Sequence, residues 1–301
     1  MKNECATVAN ENYILEELTA IFRVNGTVHY HKDHLETKFI TEHNPLVRRI
    51  YTFFRKRYDY SPKILIKSNN ISRKKTCFTI VINDKISKQW AREGEMAISI
   101  LGIEPNIGKN LVDTVDKRKA YIRGTFLGAG SVSNPEKRYH LEIVSNSQKY
   151  LQNFNKIVMK HQIDGKIIGR NDHFIWYLKD ADKISDFLSL IDAYHGVLLF
   201  EDTRAMKDIK NNVNRRNNCE LANMDKMLEA SFRQKTAIEK IDKNIGLENI
   251  DPSLQEIANL RILYPDISLK ELGERCNPPL SKSGTNYRIK KLIDISKNLE
   301  Q

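Results

Sequence analysis

The chain carries one pattern twice. "LTAIFRVNG", residues 18–26, and "IRGTFLGAG", residues 122–130, both read as short helices with phenylalanine in the fifth place and a closing glycine. The segments after them are alike. Alternation in "TVHY" and "LETKFI" marks two strands of the first copy, and "YHLEIVS" carries the same signal in the second. The helical spacing of "PLVRRIYTFFRKRY" is answered by "QKYLQNFNKIVMKH", and "KILIKS" with "CFTIVIN" is answered by "GKIIGR" with "HFIWYLK". A last helix closes each copy, in "DKISKQWAREGEMAISILGI" and in "DADKISDFLSLIDAYHGVLL". A repeat on this scale decides the fold before any local motif does. The order α-β-β-α-β-β-α, used twice, predicts an α+β domain over residues 1–200. Its halves, about 10–105 and 115–200, pair about a pseudo-twofold axis.

Glycines mark the second motif helix, although glycine in a helix interior costs about 1 kcal/mol against alanine. Gly124 and Gly128 stand one turn apart on one face and make a notch for the backbone of a partner helix. The partner is the helix around Leu18 to Val24, where Ala20 and Val24 hold the matching positions. Gly26 and Gly130 end the two helices, as C-terminal glycines do.

A duplicated α-β-β-α-β-β-α unit opened by a glycine-marked helix resembles the LAGLIDADG homing-endonuclease fold. The resemblance implies two motif helices packed at the axis, and an acid just before the closing glycine of each that holds divalent metal for strand cleavage. Here those positions are Asn25 and Ala129. Alanine has no donor, and a neutral amide replaces a carboxylate poorly at Mg²⁺. The reading is therefore a nuclease scaffold with no catalytic residue, no metal and no cofactor. A rival reading is a nuclease with metal elsewhere, at Glu36 and Glu142, which take equivalent places two residues after His34 and His140. Matching by descent accounts for that symmetry as well. The histidines of "HYHKDH", residues 29–34, lack the cysteines or carboxylates that would complete a zinc site.

Charge points to the partner. With 49 Lys+Arg against 38 Asp+Glu, the chain carries +11 and attracts polyanions. No apolar run is long enough for a bilayer, and four scattered cysteines form no CxxC pair, so the expectation is a cytoplasmic, nucleoid-associated protein with no membrane contact. Residues 201–250 read as a basic helical linker, in which Leu221, Met224, Met227, Leu228, Phe232 and Ile238 keep a sparse helical period. Between Arg204 and Lys243 there are ten Lys/Arg against six Asp/Glu, and Arg215 with Arg216 could lie on a phosphate backbone or on a solvated face.

Residues 251–301 read as three helices. Ser253, after Pro252, caps the first, which ends before Tyr264-Pro265. Ser268 and Glu271 form a capping box on the second, and Ser281 caps the third. Tyr287, Ile289, Leu292 and Ile293 supply the packing of that third helix. A short helix, a tight turn and a basic helix outline a helix-turn-helix over about Ser268 to Leu299. Ser281, Lys282, Ser283, Thr285, Asn286, Tyr287, Arg288, Lys290 and Lys291 are the candidate DNA contacts. Between Ser281 and Lys291 there are four basic residues and no acid.

A degenerate LAGLIDADG-like region followed by a helix-turn-helix resembles the WhiA family of bacterial regulators. The match rests on "RKAYIRGTFLGAGSVSNPEKRYHLEI", "NRRNNCELANMDK" and "SLKELGERCNPPLSKSGTNYRIKKL". Ala129 in "GAGS" departs from the glycine of many relatives and restores no acid. The resemblance implies a non-enzymatic, sequence-specific binder of double-stranded DNA that acts in transcription, cell division and chromosome segregation, with sporulation among its roles in relatives. The alternative that the repeat domain is chiefly a surface for other transcription or division proteins stays open. So do the target sequence and the oligomeric state.

Overall fold

The computed structural model describes residues 1–7, 12–31, 34–69, 75–99 and 102–299, so part of "HYHKDH" lies outside the described residues. The chain divides into two compact units, Met1–Lys207 and Asp208–Gln301. No helix among the described residues is long and apolar enough to cross a membrane.

The first unit starts with helices α1, Lys2–Thr7, and α2, Ile14–Asn25. Strands β1, Gly26–His31, and β2, His34–Thr41, then helix α3, Asn44–Tyr58, strands β3, Lys63–Asn69, and β4, Lys75–Ile82, and helix α4, Asp84–Glu93, complete the first copy. A short pair, β5, Ile98–Ser99, and β6, Gly102–Ile103, leads to α5, Val115–Ala129. The second copy continues with β7, Gly130–Val132, β8, Leu141–Ser145, α6, Gln148–Met159, β9, Lys166–Arg170, β10, His173–Leu178, and α7, Ala181–Leu190. Both sheets are antiparallel and share one topology, β1-β2-β4-β3 and β7-β8-β10-β9.

The closing segments are shorter than their spacing predicts. In the first copy the helix stops at Gly94, and the chain beyond it forms β5 and β6. In the second, Asp192 adopts a left-handed backbone, which breaks the run between α7 and α8, Tyr194–Asn244. Helix α8 covers most of the stretch read as linker and begins before residue 201.

The seam between α2 and α5 organises this unit. A Cβ on Gly124 would collide with the carbonyl oxygen of Glu17, and one on Gly128 would come 2.5 Å from Val24 Cγ2 and 3.2 Å from the carbonyl oxygen of Ile21. Backbone meets backbone at these points, where any side chain would hold the helices apart. Ala20 and Thr125 are fully buried beside the contact. Gly26 and Gly130 do close their helices, but with extended backbone. Glycine is required there because the rings of Phe22 and Phe126 fold back over the positions where a Cβ would sit. The same glycines open β1 and β7, paired with Phe39 and Ile143.

That register corrects the symmetry between Glu36 and Glu142. With Phe39 equivalent to Ile143, Glu142 corresponds to Lys38, and Glu36 to His140. The shared "HLE" is displaced by two residues, so the acids are not related by the duplication.

Charge crosses the seam as well. Arg123 Nε donates to Glu17 Oε2 at 2.8 Å, Arg49 pairs with the same carboxylate, and Arg123 Nη1 reaches Asp192 Oδ2 at 2.6 Å. Glu17 is fully buried and Arg123 nearly so. A buried ion pair adds little net stability, but removing one partner strands the other charge at a cost of about 3–5 kcal/mol. Around this seam Phe22, Phe39, Phe54 and Trp90 fill the first half, and Phe126, Phe154, Trp176 and Phe187 fill the second.

Two substitutions test the seam. Gly124→Leu is expected to cost at least ~3 kcal/mol and to lower the first unit's Tm by about 6–12 °C, while Gly169→Ala, which meets only ordinary contacts, leaves it unchanged. Arg123→Met, which leaves the buried Glu17 carboxylate to Arg49 alone, should lower the unfolding free energy in urea by about 1–3 kcal/mol.

Candidate nucleic-acid interface

The second unit packs three helices against the end of α8. These are α9, Pro252–Leu263, α10, Leu269–Glu274, and α11, Lys282–Asn298. Their core joins Leu254, Ile257, Ala258, Leu272, Cys276, Ile289 and Leu292 to Ile238 and Ile241 of α8. The final turns of the stretch read as linker are thus part of this core.

Caps fix the helix ends. Ser268 Oγ accepts from Glu271 N at 3.3 Å while Glu271 Oε2 accepts from Ser268 N at 2.8 Å, which completes the capping box. Ser281 Oγ accepts from Gly284 N at 3.2 Å at the start of α11. The cap of α9 is Asp251, not Ser253: its carboxylate accepts from Ser253 N at 2.8 Å, and Pro252 takes the first helical position. Proline is favoured there because that N–H would have no partner in the helix.

Two buried residues fix the connections on either side of α10. A Cβ on Gly273 would collide with Thr285 Oγ1 and lie 2.5 Å from the carbonyl oxygen of Leu280. The α10–α11 turn therefore closes backbone on side chain. Arg261, 1% exposed, donates to the carbonyl oxygens of Tyr264, Pro265 and Ile267, at 2.8 Å to the last, and ties down the α9–α10 connection. A local signal existed only for Gly273, a glycine inside a capped helix.

The candidate contacts separate into three groups. Ser281, Lys282, Ser283, Tyr287, Lys290 and Lys291 are exposed, and Asn286 is half-buried on the same helix. Thr285 is wholly buried, with its hydroxyl donating to the carbonyl oxygen of Ser281 at 3.0 Å, so it is a packing residue and leaves the groove-facing set. Tyr287 moves the other way. It is 61% exposed and supplies no core packing, and Lys291 Nζ lies 5.1 Å from its ring centre. Arg288 bridges helices, since Nη1 donates to the carbonyl oxygen of Ser253 at 3.2 Å and lies 3.7 Å from Glu256 Oε2. Arg215 and Arg216 are exposed on α8, and Arg216 pairs with Glu220 at 3.1 Å. At 1.5 Å per residue they lie about 33 Å along the helix from Ile238, so they do not join the α11 set.

At the other candidate centre, Asn25 Nδ2 donates to the carbonyl oxygen of Ile40 at 2.6 Å, which ties the end of α2 to β2. Ala129 is half-buried against the core. The hollow beside Asn25 is lined by Lys2, Glu42 and His43 among others. Glu142 is held by His140 at 3.1 Å and by the Ser131 hydroxyl at 3.1 Å. Among the described residues no three His, Cys, Asp or Glu side chains gather in a set that could hold a metal ion.

Three family models match in chain order: the WhiA N-terminal LAGLIDADG-like domain over residues 11–95, the WhiA LAGLIDADG-like domain over 118–210, and the WhiA C-terminal HTH domain over 213–296. A probable cell division protein WhiA of Clostridium perfringens strain 13 is 38% identical over 289 residues, covering 95% of this chain and 92% of the relative. The chain belongs to the WhiA family. A probable cell division protein WhiA of Clostridium botulinum strain Hall is 37% identical over 307 residues, covering 100% of this chain and 98% of that one. The fold likewise matches the crystal structure of full-length WhiA from Thermotoga maritima, with TM-score 0.58 and 24% identity over 99% of this chain and 96% of that chain. The WhiA family's helix-turn-helix model takes in the end of α8, in line with Ile238 and Ile241 packing in that core.

The close approach at Gly273 makes a stability prediction. Gly273→Val should destabilise the second unit by about 1–3 kcal/mol, and Tyr287→Ala by no more than about 0.5 kcal/mol. Hydrogen exchange of the α10 and α11 amides in the full chain reads both.

Proposed function

We propose that this chain is a non-enzymatic, sequence-specific binder of double-stranded DNA in which α11 enters the major groove, acting as a regulator in cell division and chromosome segregation. One observation carries the reading. The capped N-terminal half of α11 presents Lys282, Ser283, Asn286, Tyr287, Lys290 and Lys291 outward, while Thr285, Ile289 and Leu292 anchor it from behind. A helix fixed on one side with donors and positive charge on the other suits a groove lined by phosphates.

The chemistry favours binding over cleavage. The positions of the two metal-binding acids in the LAGLIDADG homing-endonuclease pattern are Asn25 and Ala129 here, and the amide of Asn25 is engaged with backbone. The rival metal pair, Glu36 and Glu142, has lost the symmetry that commended it. The cell-division role rests on the relatives, which are named probable cell division proteins, and chromosome segregation on the family resemblance.

Roles divide along α11. Lysines make point-charge contacts to phosphate, whereas Asn286 offers the bidentate amide that pairs with adenine. A mobility-shift titration against a promoter fragment recovered by genome-wide occupancy tests this. Replacing Lys282, Lys290 and Lys291 by alanine should weaken binding to all sequences alike and flatten the log–log salt slope by about 1 per lysine. Asn286→Ala should instead narrow the gap between cognate and scrambled DNA. Supercoiled plasmid incubated with the protein and Mg²⁺ or Mn²⁺ should stay intact. An unchanged affinity in both sets of variants, or nicking that Glu142→Gln abolishes, overturns the reading.

A further inference from the structure

The middle of α8 carries an apolar stripe. Met206, Ile209, Val213, Leu221, Met224 and Leu228 are between 43% and 58% exposed. With Asn217 they recur at intervals of three and four residues, and at 3.6 residues per turn the seven positions lie within about 120° of one another. A solvated helix face has no reason to keep such a row, because each of these side chains gains by leaving water.

The row is close to a mirror image of itself. Counting from Asn217, its members stand at −11, −8, −4, +4, +7 and +11. A second copy laid antiparallel on the first, with the twofold axis at Asn217, brings Val213 against the partner's Leu221, Ile209 against the partner's Met224, and Met206 against the partner's Leu228. Asn217 meets the partner's Asn217, where two amides can exchange hydrogen bonds. A single polar residue in an apolar helix seam fixes register in this way.

Charge in and beside the stripe selects the direction: Lys210 and Glu220 fall inside the same arc, and Arg216 and Asp225 lie next to its edges. In the antiparallel pair Lys210 comes beside the partner's Asp225, and Arg216 beside the partner's Glu220. A parallel, in-register pair would instead bring Lys210 near the partner's Lys210 and Glu220 near the partner's Glu220 inside the seam. Like charges there oppose it. Arg215 lies on the opposite side of the helix from the stripe and stays free for other contacts.

We infer that α8 is a homodimerisation element, and that two copies of this chain associate through an antiparallel helix pair centred on Asn217. Sedimentation of the full chain tests it, with helix content followed by circular dichroism. The expected result is a dimer that Val213→Glu or Leu221→Glu weakens at least tenfold with helix content retained, the positions being exposed in the single chain. Lys210→Asp should weaken the dimer, and Lys210→Asp with Asp225→Lys should restore it. Asn217→Cys in a Cys219→Ser background should form a self-disulfide under mild oxidation. A chain that stays monomeric at tens of micromolar overturns the inference. So does a dimer indifferent to the Val213 and Leu221 changes, or one that the double charge swap fails to restore.

Discussion

The first unit depends on one contact, the approach of Gly124 to the carbonyl of Glu17. Because nothing larger than hydrogen stands between the two helices there, their remaining side chains interlock over the length of the seam. The same closeness puts Arg123, the neighbour of Gly124, within hydrogen-bond distance of the Glu17 carboxylate. Each motif helix then ends at a glycine that is also the first residue of a strand, so both sheets take their position from the seam. The two four-stranded sheets share this one seam. Symmetry follows from that.

The second unit uses a similar device at smaller scale. Gly273 lets α10 and α11 close against each other, and the side chain that fills the space is Thr285. Arg261 holds the preceding turn from inside by serving three carbonyls at once. A guanidinium suits that work because its donors spread in a fixed plane. The outward face of α11 is therefore free of structural duty except at Arg288, whose charge is committed to α9.

The features legible in the sequence were local or periodic. The capping box at Ser268 and Glu271 and the cap at Ser281 involve neighbours three residues apart, so composition and spacing reveal them. The duplication was legible because a repeat displays itself twice. Three features were hidden for definite reasons. The ion pair of Glu17 and Arg123 joins residues 106 apart, and nothing near either names the other. Thr285 looked polar and groove-facing because its burial depends on Gly273, in a different helix. The "HLE" triplet invited an alignment that strand pairing displaces by two, and a shift of two keeps every side chain on its face. The cap of α9 was misplaced by two residues because Asp251 and Ser253 both suit the position, and the fixed φ of Pro252 decides between them.

Asn25 and Ala129 are the last residues of α2 and α5. Helix C-termini are the negative ends of their dipoles, so a carboxylate there is repelled by the helix that carries it. Two such carboxylates would also repel each other, and a bound cation would have to offset both effects for the seam to stay closed. With an amide and a methyl in their place, that repulsion is gone. The last turns of α2 and α5 therefore meet with no pair of like charges to neutralise, and the approach of the two helix ends is set by packing and by the hydrogen bond from Asn25 to Ile40.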